Sequence, residues 1–243
     1  QLPDISTIKG MNYAENKGFQ NYVVKASQLN GRLDGSYHIP EVKEIIKAIS
    51  LNATEVTTLG DSRISSDIIL PGRFKRIYVD KEHGVPFFGG RNLFHLNSSS
   101  IKYLSKQQVI GDFKRSTEIK TNTLLIPARG GIGKCIIAPK HMQGGIISDN
   151  IIKVVPKNDN IAGYLYCYLQ TDYGELLIKR EVSGSVVDVI EPENISNILI
   201  PLLKDKEIQQ KINDLVLEAN ELRYQAYLKE QEAINKMNEI IND

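Results

Sequence analysis

Residues 123–139, TLLIPARGGIGKCIIAP, decide the fold. Two runs of branched apolar residues, 124–126 and 136–138, flank a glycine-rich turn, and that arrangement reads as a β-hairpin. Gly130, Gly131 and Gly133 supply the backbone freedom that a tight reversal needs. The tip carries small residues and two cations, Arg129 and Lys134, so that amide groups and positive charge can come close to an anionic partner. A plain surface turn is the competing reading, because glycines are ordinary in turns.

The charge around the hairpin favours the anionic partner. The net charge of +1 over 243 residues conceals a strong segregation. Residues 71–140 hold 13 basic and 4 acidic side chains, whereas the segments on either side are acidic or nearly balanced. Such a block attracts polyanions. Within it, Arg73, Lys75, Arg76, Arg91, Lys114, Arg115 and Lys134 suit phosphate oxygens, while Arg129, Arg91 and Asn92, with Gln107 and Gln108, are of the types that read base edges.

Working outward, residues 1–31 are polar and weakly patterned, a leader or lead-in strand. A turn at Asp34-Gly35 precedes a helix starting at Glu41 after Pro40, with Ile45, Ile46 and Ile49 as its buried stripe. Strand character follows at 68–70, 74–79 and 85–88, then a short helix over 101–109 leading into the hairpin. Beyond it, GGIISDNIIKVVP reads as a strand pair. Residues 161–170 form a helix with Leu165, Tyr168 and Leu169 inward, and Asp172 caps a second helix that runs to Arg180 and closes at Gly184. SGSVVDVIEPENISNILIPL then runs as strand, turn and strand. The fold class is thus α/β (α+β), a globular domain with a twisted, barrel-like sheet and helices.

From 205 to 242 there is no proline or glycine. Ile208, Ile212, Leu215, Ala219, Leu222 and Ala226 recur at alternating four- and three-residue steps, a coiled-coil seam. The seam slips after Ala226 and continues through Ile234, Met237 and Ile241, a stutter. At 1.5 Å per residue the helix is roughly 55 Å long, more than its own domain can cover, so a partner helix is expected.

Catalytic groupings do not emerge. GGIGKC lacks two required positions of a phosphate-binding P-loop, with Ala128 and Cys135 in their place. Asp34, Glu41 and Lys43 imitate a metal-dependent nuclease triple, but Glu41 and Lys43 follow a proline into a helix and diverge. The four histidines show no ligand spacing, and no methyltransferase motif of the Asn/Asp-Pro-Pro-aromatic type occurs. Cys135 and Cys167 alone form no disulfide framework, which points to a reducing compartment, the cytoplasm. No apolar run approaches membrane-spanning length.

The order RLDGSYHIP, GVPFFGGRNL, LLIPARGGIGKCIIAPK, GGIISDNIIKVVP, YLYCYLQTDYGELLIKREVSGSVVDVIEPENISNILIPLL and EIQQKINDLVLEANEL resembles the target-recognition half of the DNA specificity subunit of type I restriction-modification systems. The resemblance covers most of the chain. It implies a target-recognition domain over 32–203, a spacer and dimerisation helix over 204–243, and double-stranded DNA as the partner. It further implies a non-catalytic chain that positions adenine methyltransferase subunits and restriction subunits. S-adenosylmethionine, ATP and magnesium would serve those subunits, and this chain would bind no cofactor itself.

Family members commonly carry two recognition domains and two helices, and no second copy occurs here. The chain is expected to be a half that dimerises or meets a second specificity half. Alternatively it is the C-terminal recognition region of a fused methyltransferase or nuclease chain. A structural coiled-coil adaptor explains the helix but leaves the basic block without a role.

Overall fold

The computed structural model describes residues 23–29, 31–96, 101–182 and 188–242. Most of the expected leader, and Gly184 with its neighbours 183–187, lie outside the described residues. The first elements are α1 (Pro40–Asn52), β1 (Ala53–Thr58), β2 (Ser65–Ile69), β3 (Tyr78–Val79), β4 (Gly84–Phe88), α2 (Gly90–Leu93) and β5 (Lys102–Ser105). There follow α3 (Gly111–Thr117), β6 (Leu124–Pro127), β7 (Ile136–Ile137), β8 (Ile146–Ile147) and β9 (Ile151–Pro156). The chain ends with α4 (Asp159–Leu169), α5 (Asp172–Arg180), α6 (Pro192–Ser196), β10 (Leu199–Leu203) and α7 (Lys206–Asn242).

The central hairpin forms as its apolar runs dictate: Leu124 faces Ile137 and Leu125 faces Ile136. It belongs to a sheet of order β2-β9-β6-β7. Alternation along β6 and β9 sends Leu124, Ile126, Ile152 and Val154 into the main core, shared with α1, α4 and α5. Leu125 and Ile151 point the other way, into a second cluster with Phe88 and Ile147 of the neighbouring sheet. That sheet has order β3-β5-β4-β8, with β4 and β8 parallel. β1 and β10 form a two-stranded ribbon. Among the described residues these are three open sheets, and no barrel closes.

Proline at the first position of α1 needs no amide partner there. The buried stripe is Val42, Ile45, Ala48 and Ile49, with Ile46 at its margin. Glu41 is buried and Lys43 exposed, so the nuclease-like triple is not assembled. Two expectations fail in the basic block. Only Tyr78 and Val79 of 74–79 pair as a strand. Residues 101–109 form no α-helix either: Lys102–Ser105 pairs with both β3 and β4, sheet pairing outweighs the local helical spacing there, and only Lys106–Gln108 makes a short 3-10 helix. The two strands read in GGIISDNIIKVVP exist but pair elsewhere, β8 with β4 and β9 with β2 and β6. Past 187, an isolated bridge at Val189 and the short helix α6 replace the first strand and the turn.

α4 carries Leu165, Tyr168 and Leu169 inward as its spacing requires, and Thr171 caps α5 by accepting from the Gly174 amide. α7 lies across α4 at Gly163. Two buried asparagines, seven residues and so two turns apart, fix its phase. Asn213 Oδ1 accepts from the Gly163 and Tyr164 amides at 2.9 and 3.2 Å. Asn220 Nδ2 donates to the Ala138 carbonyl and to Asn122 Oδ1, both at 3.1 Å. Ile212, Val216 and Leu217 pack on the main core, and Tyr227 stacks on His141. The outward face leaves Ile208, Leu215 and Leu222 more than half exposed.

Candidate nucleic-acid interface

The hairpin tip owes its shape to left-handed backbone at Gly130 and Gly131, with φ of 64° and 74° and open space where a side chain would stand. Gly133, also at positive φ, instead packs against Lys179 and Glu175 of α5, which anchors the base of the tip. Arg129 is exposed. Its Nη1 is 3.5 Å from Asn150 Oδ1, while the preceding amide of Ala128 donates to the Asn150 carbonyl at 2.8 Å. Lys134 Nζ lies 5.9 Å from the centre of the half-exposed Phe94 ring.

The turn between β8 and β9 gathers several cations. Arg76 donates to Asp149 Oδ1 at 2.6 Å and lies over Phe87, 5.3 Å from the ring centre. Asn150, the next residue, holds Arg129. Ser148 donates to the Phe88 carbonyl at 3.0 Å, which brings the start of α2 beside the same turn. There Arg91 is exposed, and Asn92 Oδ1 accepts from the Gly89 amide at 3.3 Å. Arg76 and Arg129 are thus held on one turn, and the strand that leads into α2, which carries Arg91 and Asn92, is tied to the same turn.

A second group mounts on the segment after β5. Gln108 donates through Nε2 to the Lys75 carbonyl, and its Oε1 accepts from the Ile77 amide at 3.4 Å. Lys106 Nζ donates to the Glu82 carbonyl at 2.8 Å. Val109, like Phe74 and Phe113, packs against the cluster of Phe87, Leu104 and Ile146. Gln107, Arg73 and Lys75 are exposed.

α3 carries the third group. Lys114 pairs with Glu118 at 3.5 Å and Arg115 with Asp67 at 3.6 Å, both across exposed surface. Beneath them Lys153, only 4% exposed, donates to the carbonyls of Arg115 and Glu118 at 2.6 and 3.1 Å, a cation at a helix C-terminus. Burial lowers its pKa, and the charges of Asp67 and Glu118 oppose that shift. A cleft of about 440 Å³ opens there, lined by Lys114, Arg115, Lys120, Lys153, Asp67 and Glu118 among others.

Residues 84–217, more than half of the chain, match the family described as the type I restriction modification DNA specificity domain. The chain belongs to this family. Its recognition domain is a DNA-binding module and not a catalytic one. Among solved structures, a chain from a study of complex assembly in the type I R-M system aligns with TM-score 0.50 at 16% identity, covering 82% of this chain and 50% of that one. The type IIG restriction endonuclease BpuSI aligns at 0.51 and 14% identity, covering 80% and 30%. The HsdS subunit from Thermoanaerobacter tengcongensis gives 0.48 and 18%, covering 79% and 45%. At such identities the first two alignments show a likeness of fold alone. This chain spans half or less of the length of each, and no curated protein matches it.

The sequence-derived residues separate by role. Arg73, Lys75, Arg91, Gln107, Arg129 and Lys134 present exposed side chains. Gln108 is spent on backbone, and Asn92 uses its oxygen as a cap. Arg76 is ion-paired and stacked. Arg73, Lys75 and Arg76 also precede the region matched by the family. Sequence reasoning passed over Lys120 and Lys153, which line the cleft under α3. For Lys153 a signal existed, a lysine within the apolar strand IIKVVP, where a charge must be paired or capped.

Proposed function

We propose that this specificity domain reads one half of a split duplex target. Residues 32–203 are its recognition domain, and 204–243 form an arm that pairs with the same helix of a second copy or a second specificity half. Its partners are duplex DNA, adenine methyltransferase subunits and, where present, restriction subunits. S-adenosylmethionine, ATP and magnesium belong to those subunits, and this chain carries no cofactor of its own. The assembly works in the cytoplasm. Among the described residues no helix is long and apolar enough to cross a membrane.

One observation carries the reading. In a DNA-specificity family, α7 is fixed to its domain by one face while Ile208, Leu215 and Leu222 project from another and stay more than half exposed among the described residues. A second reading draws on the likeness to BpuSI: the recognition region of a longer chain with its own catalytic part.

Binding to duplex DNA is expected to weaken steeply with salt, since each neutralised phosphate adds about 0.9 to the negative log–log slope. Replacing Lys114 and Arg115 together with alanine should reduce that slope, as a salt titration of a fluorescent duplex would measure. An unchanged slope would mean that α3 faces away from DNA.

Arg129 is the leading base reader, because it is exposed on a rigid tip and its contact to Asn150 is long. Arg129→Ala should cost roughly 1–3 kcal/mol on the target sequence and little on random duplex. Equal loss on both would make it a phosphate contact. The target itself follows from mapping methylated adenines in the source genome.

A further inference from the structure

The cleft under α3 has features that a solvated charge run does not need. Four cations and two carboxylates line it, an excess of two positive charges. Its floor is the buried ammonium of Lys153. That group has three N–H donors, two of which reach the Arg115 and Glu118 carbonyls, and the third has no protein partner among the described residues. Lys120, exposed on the wall, has no ion-pair partner among the described residues. Gly111, at φ +52° with open space around its Cα, lets the backbone line the cleft closely.

Immediately before Gly111 in the chain stands Ile110, 68% exposed within the most basic part of the sequence. Its mount is rigid. Gln108 ties the segment to the backbone of Lys75 and Ile77, Lys106 ties it to Glu82, and Val109 packs against the cluster of Phe87, Leu104 and Ile146. The Lys114 amide donates to the Ile110 carbonyl at 3.1 Å, so Ile110, itself in extended backbone, closes the first turn of α3. A group seated against the Gly111 backbone therefore has Ile110 as the adjoining residue.

We propose that this cleft seats one phosphodiester of the DNA backbone, held by Lys120, Lys114 and Lys153, and that Ile110 packs against the sugar and base edge next to it. The proposal rests on the DNA-recognition reading and adds to it a seat and an apolar contact. A free phosphate would gain nothing from Ile110, whereas a nucleotide offers a thymine methyl or a base-step edge to an aliphatic side chain.

The test uses the full chain and a mixed-sequence duplex in a salt titration. Lys120→Ala should reduce the negative log–log slope by about 0.9. Ile110→Ala should leave the slope unchanged and lower affinity roughly fivefold or more at every salt concentration. Lys47→Ala, on the exposed face of α1, is the control and should change neither. Lys153→Met, which removes a helix cap, enters only with circular dichroism as a check on folding. An unaltered slope in Lys120→Ala, or unaltered affinity in Ile110→Ala, overturns the proposal while DNA binding by the wild type leaves the wider reading intact. Failure of the wild type to bind duplex overturns both. Binding of inorganic phosphate that Lys120→Ala abolishes, with the DNA slope unmoved, would mean a free-anion site and also overturns it.

Discussion

Replacing Leu215 and Leu222 together with glutamate is expected to dissociate a self-paired chain into monomers while leaving the globular domain folded. Both side chains are more than half exposed, at 56% and 61%. They lie off the face that holds α7 to its own domain, where Ile212, Asn213, Val216 and Asn220 make the contacts. Burying one leucine is worth about 1.5–3 kcal/mol. A symmetric pair loses four of them, so roughly 6 kcal/mol or more, which is about a 10⁴-fold or larger rise in the dissociation constant. Sedimentation velocity measures the species and circular dichroism the fold. A dimer insensitive to both changes would place the interface outside α7. A wild type that stays monomeric at high micromolar concentration would direct the search to a different partner helix.

Gly163→Ala is expected to destabilise the chain, against the usual gain of about 1 kcal/mol from alanine in a helix interior. A methyl group there would stand inside van der Waals contact with the Asn213 carbonyl oxygen and 3.1 Å from Val216 Cβ. The first of these is backbone and cannot rotate away, so α7 must move off α4. That movement strains the bonds from the Gly163 and Tyr164 amides to Asn213. We expect a loss of roughly 3 kcal/mol, at the upper end for overpacking, read as a lower denaturation midpoint. A stabilised Gly163→Ala variant would mean that α7 sits further from α4 than described.

These expectations separate what the sequence shows from what it conceals. The hairpin was legible because its apolar runs, glycines and cations lie side by side. α7 was legible because its spacing persists over many turns. Which way each face of α7 points was not. The seam assigned from spacing mixes Ile212, which packs on the domain, with Ile208, Leu215 and Leu222, which do not.

Residues 101–109 failed for a related reason. IKYLSKQQV carries a helical spacing, and pairing with β3 and β4 makes Lys102–Ser105 a strand, leaving only a 3-10 helix at Lys106–Gln108. Gln108 looked like a base reader by type, yet its amide completes the backbone bonding of Lys75 and Ile77. Side-chain type cannot tell a polar group that faces solvent from one that braces a loop. Lys153 shows the converse, a cation hidden in an apolar strand because a helix end lies over it.

The ribbon of β1 and β10 sets the timetable of folding. Ala53 faces Leu203 and Thr58 faces Leu199, so the first strand of the domain waits for its partner until about 150 further residues have been made. Pairings so distant in sequence form slowly, and chains that expose strand edges meanwhile are prone to stick to one another. α7 begins at Lys206, three residues after the ribbon closes. During synthesis its apolar stripe leaves the ribosome only once the last strand is out. A growing chain therefore shows its most adhesive surface when the domain that carries it is ready to fold, and a premature stop before Leu203 yields a piece with an open edge but no arm.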